Sequence, residues 1–192
     1  SITLYGKRFN LSNQTGIDLP QEASGFLPTD EWKRTEKGEP WYLGDTYHLA
    51  IGQGDLLVTP LQVALWTSFF ANGGTLYRPH ILMQEARVID KNFISRKNIE
   101  IIREGLRGVV AYGSARSLNA LPVASAGKTG SAQFAKSKDP HGWFTGFIPY
   151  ENPKIVLTIL VEEGGGSQAA VPIARDFFNW YIAHYLSDKG GA

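Results

Sequence analysis

The sequence predicts a mixed α/β fold of the α+β kind, and three observations carry that expectation. Two apolar runs, Trp143–Tyr150 and Ile155–Val161, read as strands joined across the turn signal Glu151-Asn152-Pro153. Thr59-Pro60-Leu61-Gln62 opens a helix with a capping box and a proline in the first helical position. A last helix, from about Ala169 to Leu186, carries an aromatic stripe of Phe177, Trp180, Tyr181 and Tyr185, which suits packing on a sheet.

Composition narrows the classes. A chain of 192 residues with 43% hydrophobic and 12% aromatic content can bury a real core as one domain. The formal net charge is +1 with no charge block, so no nucleic-acid surface is expected. There are no cysteines, which excludes disulfides and cysteine-based metal sites, and neither a metal nor a cofactor is expected. No apolar run approaches the length of a membrane span, and Ser1 does not open a signal peptide; any anchor is expected outside this chain.

In chain order, Leu4–Leu11 reads as the end of a helix, Asn13-Gln14-Thr15-Gly16 as a turn and Ile17–Pro20 as a short extended piece. Residues 20–48 are rich in Pro, Gly and charge, with Trp32, Trp41 and Tyr42 interleaved. They read as an irregular surface segment pinned by its aromatics, or as an aromatic groove. Ala50-Ile51-Gly52-Gln53-Gly54 suggests a tight backbone passage that either borders a site or lets the next helix pack closely. That helix places Leu61, Ala64, Leu65 and Phe69 at helical spacing and stops at Asn72-Gly73-Gly74. Thr75–Leu82 reads as extended, and its His80 as structural, because no partner pattern supports a catalytic base. A further helix opens at Ser95 and runs through Ile99, Ile102 and Leu106 to a break at Gly113, after which Ser114-Ala115 reads as the cap of a short helical turn. In Ile155–Val161 apolar residues face both sides, which predicts a central strand covered on both faces.

The chemistry concentrates in Ala126-Gly127-Lys128-Thr129-Gly130-Ser131-Ala132-Gln133. A cation, a hydroxyl and free strand N–H groups beside a glycine make a good seat for the carboxylate of an extended peptide. Gly127-Lys128-Thr129 also matches the end of a phosphate loop, but Pro122 stands where its first glycine belongs and no helix pattern follows. The competing reading is the Lys-Thr-Gly element of penicillin-interacting serine enzymes.

Several stretches in order resemble the transpeptidase domain of a bacterial class B penicillin-binding protein, over essentially the whole chain. They are Thr15–Pro20, Trp41-Tyr42-Leu43-Gly44-Asp45-Thr46, Ile51-Gly52-Gln53-Gly54, Thr59–Gln62, Gly127-Lys128-Thr129-Gly130 and Trp143-Phe144-Thr145-Gly146-Phe147. The Trp-Tyr-x-Gly-Asp-Thr and Ile-Gly-Gln-Gly pieces are most similar to the cell-elongation type. The resemblance implies the penicillin-binding-protein and serine β-lactamase-like fold, a mostly antiparallel sheet of about five strands flanked by helices, incomplete in this chain. Residues 1–192 would then be the C-terminal portion of one transpeptidase domain. Ser125-Ala126-Gly127-Lys128 matches S-x-x-K only by sharing the Lys-Thr-Gly lysine, and Ser117-Leu118-Asn119 lies too near the strand to be the Ser-x-Asn loop. Both true motifs, and the nucleophile, are expected outside the chain.

By the same resemblance the reaction is D,D-transpeptidation of peptidoglycan stem peptides, with β-lactam antibiotics as mimics of the substrate. Lys128 and Thr129 would hold the terminal carboxylate, and the Ser131 N–H would supply half of an oxyanion hole. Gly130, Ala132 and Gln133 would border the peptide. Implied partners are the missing N-terminal part of the same protein, or a second chain carrying the serine, and a polymerase of the elongation machinery. The implied place is the periplasmic face of the inner membrane. Two alternatives stand beside this reading: a β-lactam sensor or hydrolase on the same fold, and a non-catalytic structural half.

Overall fold

A computed structural model describes residues 2–135 and 137–186. The chain forms two compact units, one of Ser1–Trp66 and Thr75–Phe93, the other of Thr67–Gly74 and Ile94–Ala192.

The first unit is built from short helices tied by side-chain bonds. Helix α1 spans Ile2–Arg8, ending short of Leu11, and left-handed backbone at Asn10 and Ser12 turns the chain on either side of Leu11. Residues 20–48, expected to be irregular, contain most of two helices, α2 at Asp30–Lys37 and α3 at Leu43–Ala50. Their ends explain them. The Thr29 hydroxyl accepts the Trp32 N–H, and Gly38 closes α2 in a left-handed cap. The Asp45 carboxylate accepts the Tyr42 N–H at the start of α3 and also binds Lys33 Nζ at 2.6 Å. The aromatics of this region pin it: Trp32 packs edge-on against Phe26, and Trp41 Nε1 donates to Thr46 Oγ1.

Helix α4 spans Pro60–Ala71 and starts in the expected capping box, with Gln62 N–H donating to Thr59 Oγ1 at 3.1 Å and Thr59 N–H to Gln62 Oε1 at 3.0 Å. The fully buried Gln62 amide also donates to the Asn13 and Ser24 carbonyls, so one side chain fixes both the cap and the loop beneath it. Gly52 has open space where a Cβ would stand but a φ of +72°, so its role is to turn the chain rather than to admit a neighbour. The extended stretch after α4 is shorter than expected: β1 covers only Thr75–Tyr77 and pairs antiparallel with β2, Val88–Lys91, a strand too short to stand out in the sequence. His80 is structural, its Nδ1 bonded to the Leu82 carbonyl.

The second unit is a three-stranded antiparallel sheet in the order β3-β4-β5, made of Ala126–Ala132, His141–Ile148 and Ile155–Val161. The register puts Thr129, Phe144 and Ile159 in one cross-strand row and Lys128, Thr145 and Thr158 in the next. Successive side chains leave opposite faces, so the two rows lie on different sides of the sheet. The Phe144 face is covered by α6, Ser167–Tyr181, whose Ala170, Ala174 and Phe178 repeat every four residues into the core, with Ile182 continuing the row just past its end. Phe144 and Phe178 meet edge to face at 6.3 Å. On the other face Ala126, Phe147 and Val156 pack against Ala71 of α4 and Leu106 of α5, Arg96–Ala111. There Thr67, Thr145 and Thr158 join their hydroxyls in a row, at 2.7 and 2.8 Å.

Two expectations for this unit are corrected. Ile155–Val161 is covered on both faces, but among the described strands β4 is the middle one and β5 an edge. Two-sided apolarity reports what lies above and below a strand, not what lies beside it. The aromatic stripe of the last helix meets the core only in part: Phe177 and Tyr181 pack against it, while Trp180 and Tyr185 are exposed and contact neighbouring rings of the stripe, and the buried ring, Phe178, lies outside the stripe. The helix passes into a π turn at Ile182–Leu186.

Candidate active-site strand

Strand β3 carries the candidate residues along a free edge. It pairs with β4 on one side, and among the described residues no strand pairs with the other. Half of its backbone N–H and C=O groups therefore face outward, which is the arrangement that accepts an extended peptide by strand addition. Gly127 allows this strand to lie flat: a Cβ there would come within 2.7 Å of the Phe144 ring. The strand is held from behind by α5, whose Arg107 donates to the Ser125 carbonyl at 3.1 Å.

Lys128 and Thr129 leave opposite faces. Lys128 is exposed, and its ammonium folds back onto the Thr129 carbonyl at 2.7 Å. Thr129 is buried, with its Oγ1 2.6 Å from Ser114 Oγ. Ser131 shares the Thr129 face, and its hydroxyl accepts the Ser167 N–H at 3.1 Å, fastening the start of α6 to the strand. Gly130 is half-buried opposite Trp143, whose Cβ lies 3.2 Å from where its own would be, so the missing side chain relieves the sheet itself. Ala132 ends the strand opposite His141. Gln133 lies beyond it and turns its amide onto the Ala135 and Lys138 carbonyls, closing the following loop rather than extending the edge.

Ser125 is fully buried, with an unpartnered hydroxyl, directly before β3. Ser117 lies in a 3-10 helix, Arg116–Ala120, where Asn119 accepts a bond from Arg107. The residue missed by sequence reading is Ser114. Expected to cap that helical turn, it makes no cap; the N-cap is Ala115, without a side-chain bond, and the Ser114 hydroxyl goes to Thr129 instead. Among the described residues no cluster of His, Cys, Asp or Glu could hold a metal ion, and no helix is long and apolar enough to cross a membrane.

The strand therefore offers a cation on one face, two hydroxyls on the other and an open backbone edge between them. That geometry suits an acceptor-only group at the end of a peptide.

Comparison with known proteins identifies the scaffold. Residues 1–179 match the penicillin binding protein transpeptidase domain. The chain is 34% identical to the peptidoglycan D,D-transpeptidase MrdA of Haemophilus influenzae, over 96% of its own length and 33% of that protein. It superposes on the penicillin-binding protein PBP2 of Helicobacter pylori, solved in complex with MreC, with a TM-score of 0.86, 33% identity and coverage of 97% and 37% of the two chains. PBP2 of Pseudomonas aeruginosa gives a TM-score of 0.80 at 29% identity, covering 98% and 44%. The chain spans about a third of the length of the curated relatives it matches. It belongs to the penicillin-binding protein transpeptidase domain family.

Proposed function

We propose that this chain supplies the Lys-Thr-Gly strand of a peptidoglycan D,D-transpeptidase, with the nucleophilic serine contributed from outside these residues. The observation that carries the reading is the free edge of β3 with Lys128, Thr129 and Ser131 on it. The names of the relatives, peptidoglycan D,D-transpeptidases, support it.

In this scheme a stem peptide ending in D-Ala-D-Ala lies antiparallel to β3 and adds a strand to the sheet. Its terminal carboxylate accepts from the Thr129 hydroxyl and is attracted by the Lys128 ammonium, which also favours the ionised form of a nearby serine. The serine oxygen bonds to the penultimate carbonyl carbon; the developing oxyanion accepts from the Ser131 N–H and the serine's own N–H. The C–N bond to the terminal D-Ala breaks, that nitrogen taking up a proton, and an amine of a neighbouring strand later displaces the serine. β-Lactams enter as mimics of the dipeptide and remain on the serine. The place of action is the periplasmic face of the membrane, and resemblance to a PBP2 solved with MreC supports a protein partner in the elongation machinery.

The test is the second-order rate of acylation of the complete transpeptidase by benzylpenicillin. A bond to a charged group contributes about 1.5–3 kcal/mol. Lys128→Ala should therefore slow acylation by roughly one to two orders of magnitude, with Lys128→Arg intermediate. A folded Lys128→Ala protein acylated at the unmodified rate would remove this strand from the site.

A further inference from the structure

We propose that Ser114 is a positioning residue for this reaction: its hydroxyl donates to Thr129 Oγ1 and so commits the Thr129 proton to the carboxylate of the ligand. The proposal rests on the reading of β3 given above.

The two oxygens are 2.6 Å apart, close enough that one must donate to the other. Among the described residues this is the one hydrogen bond that either hydroxyl makes. Each hydroxyl has a single proton and two acceptor positions. If Thr129 donates to Ser114, its proton is spent and Thr129 turns a lone pair toward the edge, where a carboxylate would be repelled. If Ser114 donates, the Thr129 proton is free to point outward. A carboxylate only accepts, so the second polarity is the one that binds it. Thr129 is β-branched and buried, which fixes where its oxygen sits; the remaining freedom is the direction of its proton, and that is what Ser114 sets.

The loop bearing Ser114 is built to keep it there. The Gly113 N–H donates to the Gly108 carbonyl at 3.1 Å and the Ala115 N–H to the Val109 carbonyl at 3.0 Å, so both neighbours of Ser114 are tied to the last turn of α5. Ala115 is fully buried in the core. A side chain at position 113 would meet the Val109 backbone at 2.9 Å, which leaves little room for the loop to move inward. Because Arg107 on the same helix grips the Ser125 carbonyl just before β3, helix and strand hold their spacing. A serine that served only the loop would have no reason to direct its hydroxyl across to β3.

The experiment compares benzylpenicillin with its methyl ester, which lacks the carboxylate, on the complete transpeptidase and its Ser114→Ala, Ser114→Cys, Ser114→Thr and Lys128→Ala variants. A neutral hydrogen bond is worth about threefold to tenfold in rate. Ser114→Ala should lower the ratio of the penicillin rate to the ester rate by about that factor, through the initial complex rather than the acylation step. Ser114→Cys keeps the volume but donates weakly, and should lower the ratio too; Ser114→Thr should restore it. An unchanged ratio in Ser114→Ala or Ser114→Cys, with Lys128→Ala still slow, overturns the proposal and spares the site. Equal loss toward both ligands, with no rescue by Ser114→Thr, makes Ser114 merely structural and also overturns it. Full acylation of Lys128→Ala overturns the site reading itself.

Discussion

Replacing Arg103 with alanine should destabilise the second unit more than any other single change to a polar side chain on α5. Its guanidinium donates to the Phe70 and Ala71 carbonyls at 3.1 and 2.6 Å, the last turn of α4, and to the Tyr150 carbonyl at 2.5 Å, beyond β4. It also lies over the Phe147 and Tyr150 rings, at 5.1 and 5.2 Å from their centroids. One side chain thus caps a helix and fastens it to the helix and turn beside the sheet. Hydrogen bonds to a charged donor contribute about 1.5–3 kcal/mol each. Arg103 is only half-buried, however, so water can recover part of the loss. The net cost of Arg103→Ala is then about 2–4 kcal/mol. Urea unfolding of the dilute chain, followed by tryptophan fluorescence, should show the midpoint falling by roughly 1–2 M. Arg103→Lys keeps a cation over the rings but reaches one carbonyl, and should lose about half as much. If Arg103→Ala shifts the midpoint by less than about 0.3 M, the clamp is not a clamp and this account of the unit is wrong.

The Lys33–Asp45 pair gives a pH signature. The bond to Asp45 raises the Lys33 pKa; the bond from Lys33, aided by the Tyr42 N–H, lowers that of Asp45. A depressed carboxylate stabilises above its unfolded value and loses this as pH falls; a raised ammonium stabilises below its unfolded value and loses this as pH rises. The pair should thus contribute fully between roughly pH 4 and 10, and Asp45→Asn should flatten the decline of the urea midpoint below about pH 4; an undiminished acid slope contradicts the assignment. The edges of β3 and β5, unpaired among the described residues, predict self-association of the isolated chain. Sedimentation at increasing concentration should show growing species, and a monomer at every concentration would refute it.

The sheet was legible because its strands announce themselves: His141–Ile148 and Ile155–Val161 are long apolar runs separated by a proline turn. Helix α4 was legible through Thr59 and Gln62, whose side chains carry the cap in a fixed four-residue pattern. Helices α2 and α3 were not, because their stability lies in Thr29, Gly38 and the shared carboxylate of Asp45, while the surrounding Pro and Gly suggest disorder of pattern. The same contrast holds at the site. Lys128, Thr129 and Gly130 stand together in the chain and could be found by eye. Ser114 bonds Thr129 across fifteen residues, and no local periodicity encodes which way a hydroxyl turns.

The row of Thr67, Thr145 and Thr158 has a consequence for how the sequence can drift. The Thr158 hydroxyl relies on Thr145, so a valine at 145 strands it in a half-buried layer. Valine at both 145 and 158 would fit the same space and leave no such hydroxyl. The apolar pair is thus an acceptable destination reached only through poorer intermediates, and lineages are expected to keep Thr145 and Thr158 or to lose them together.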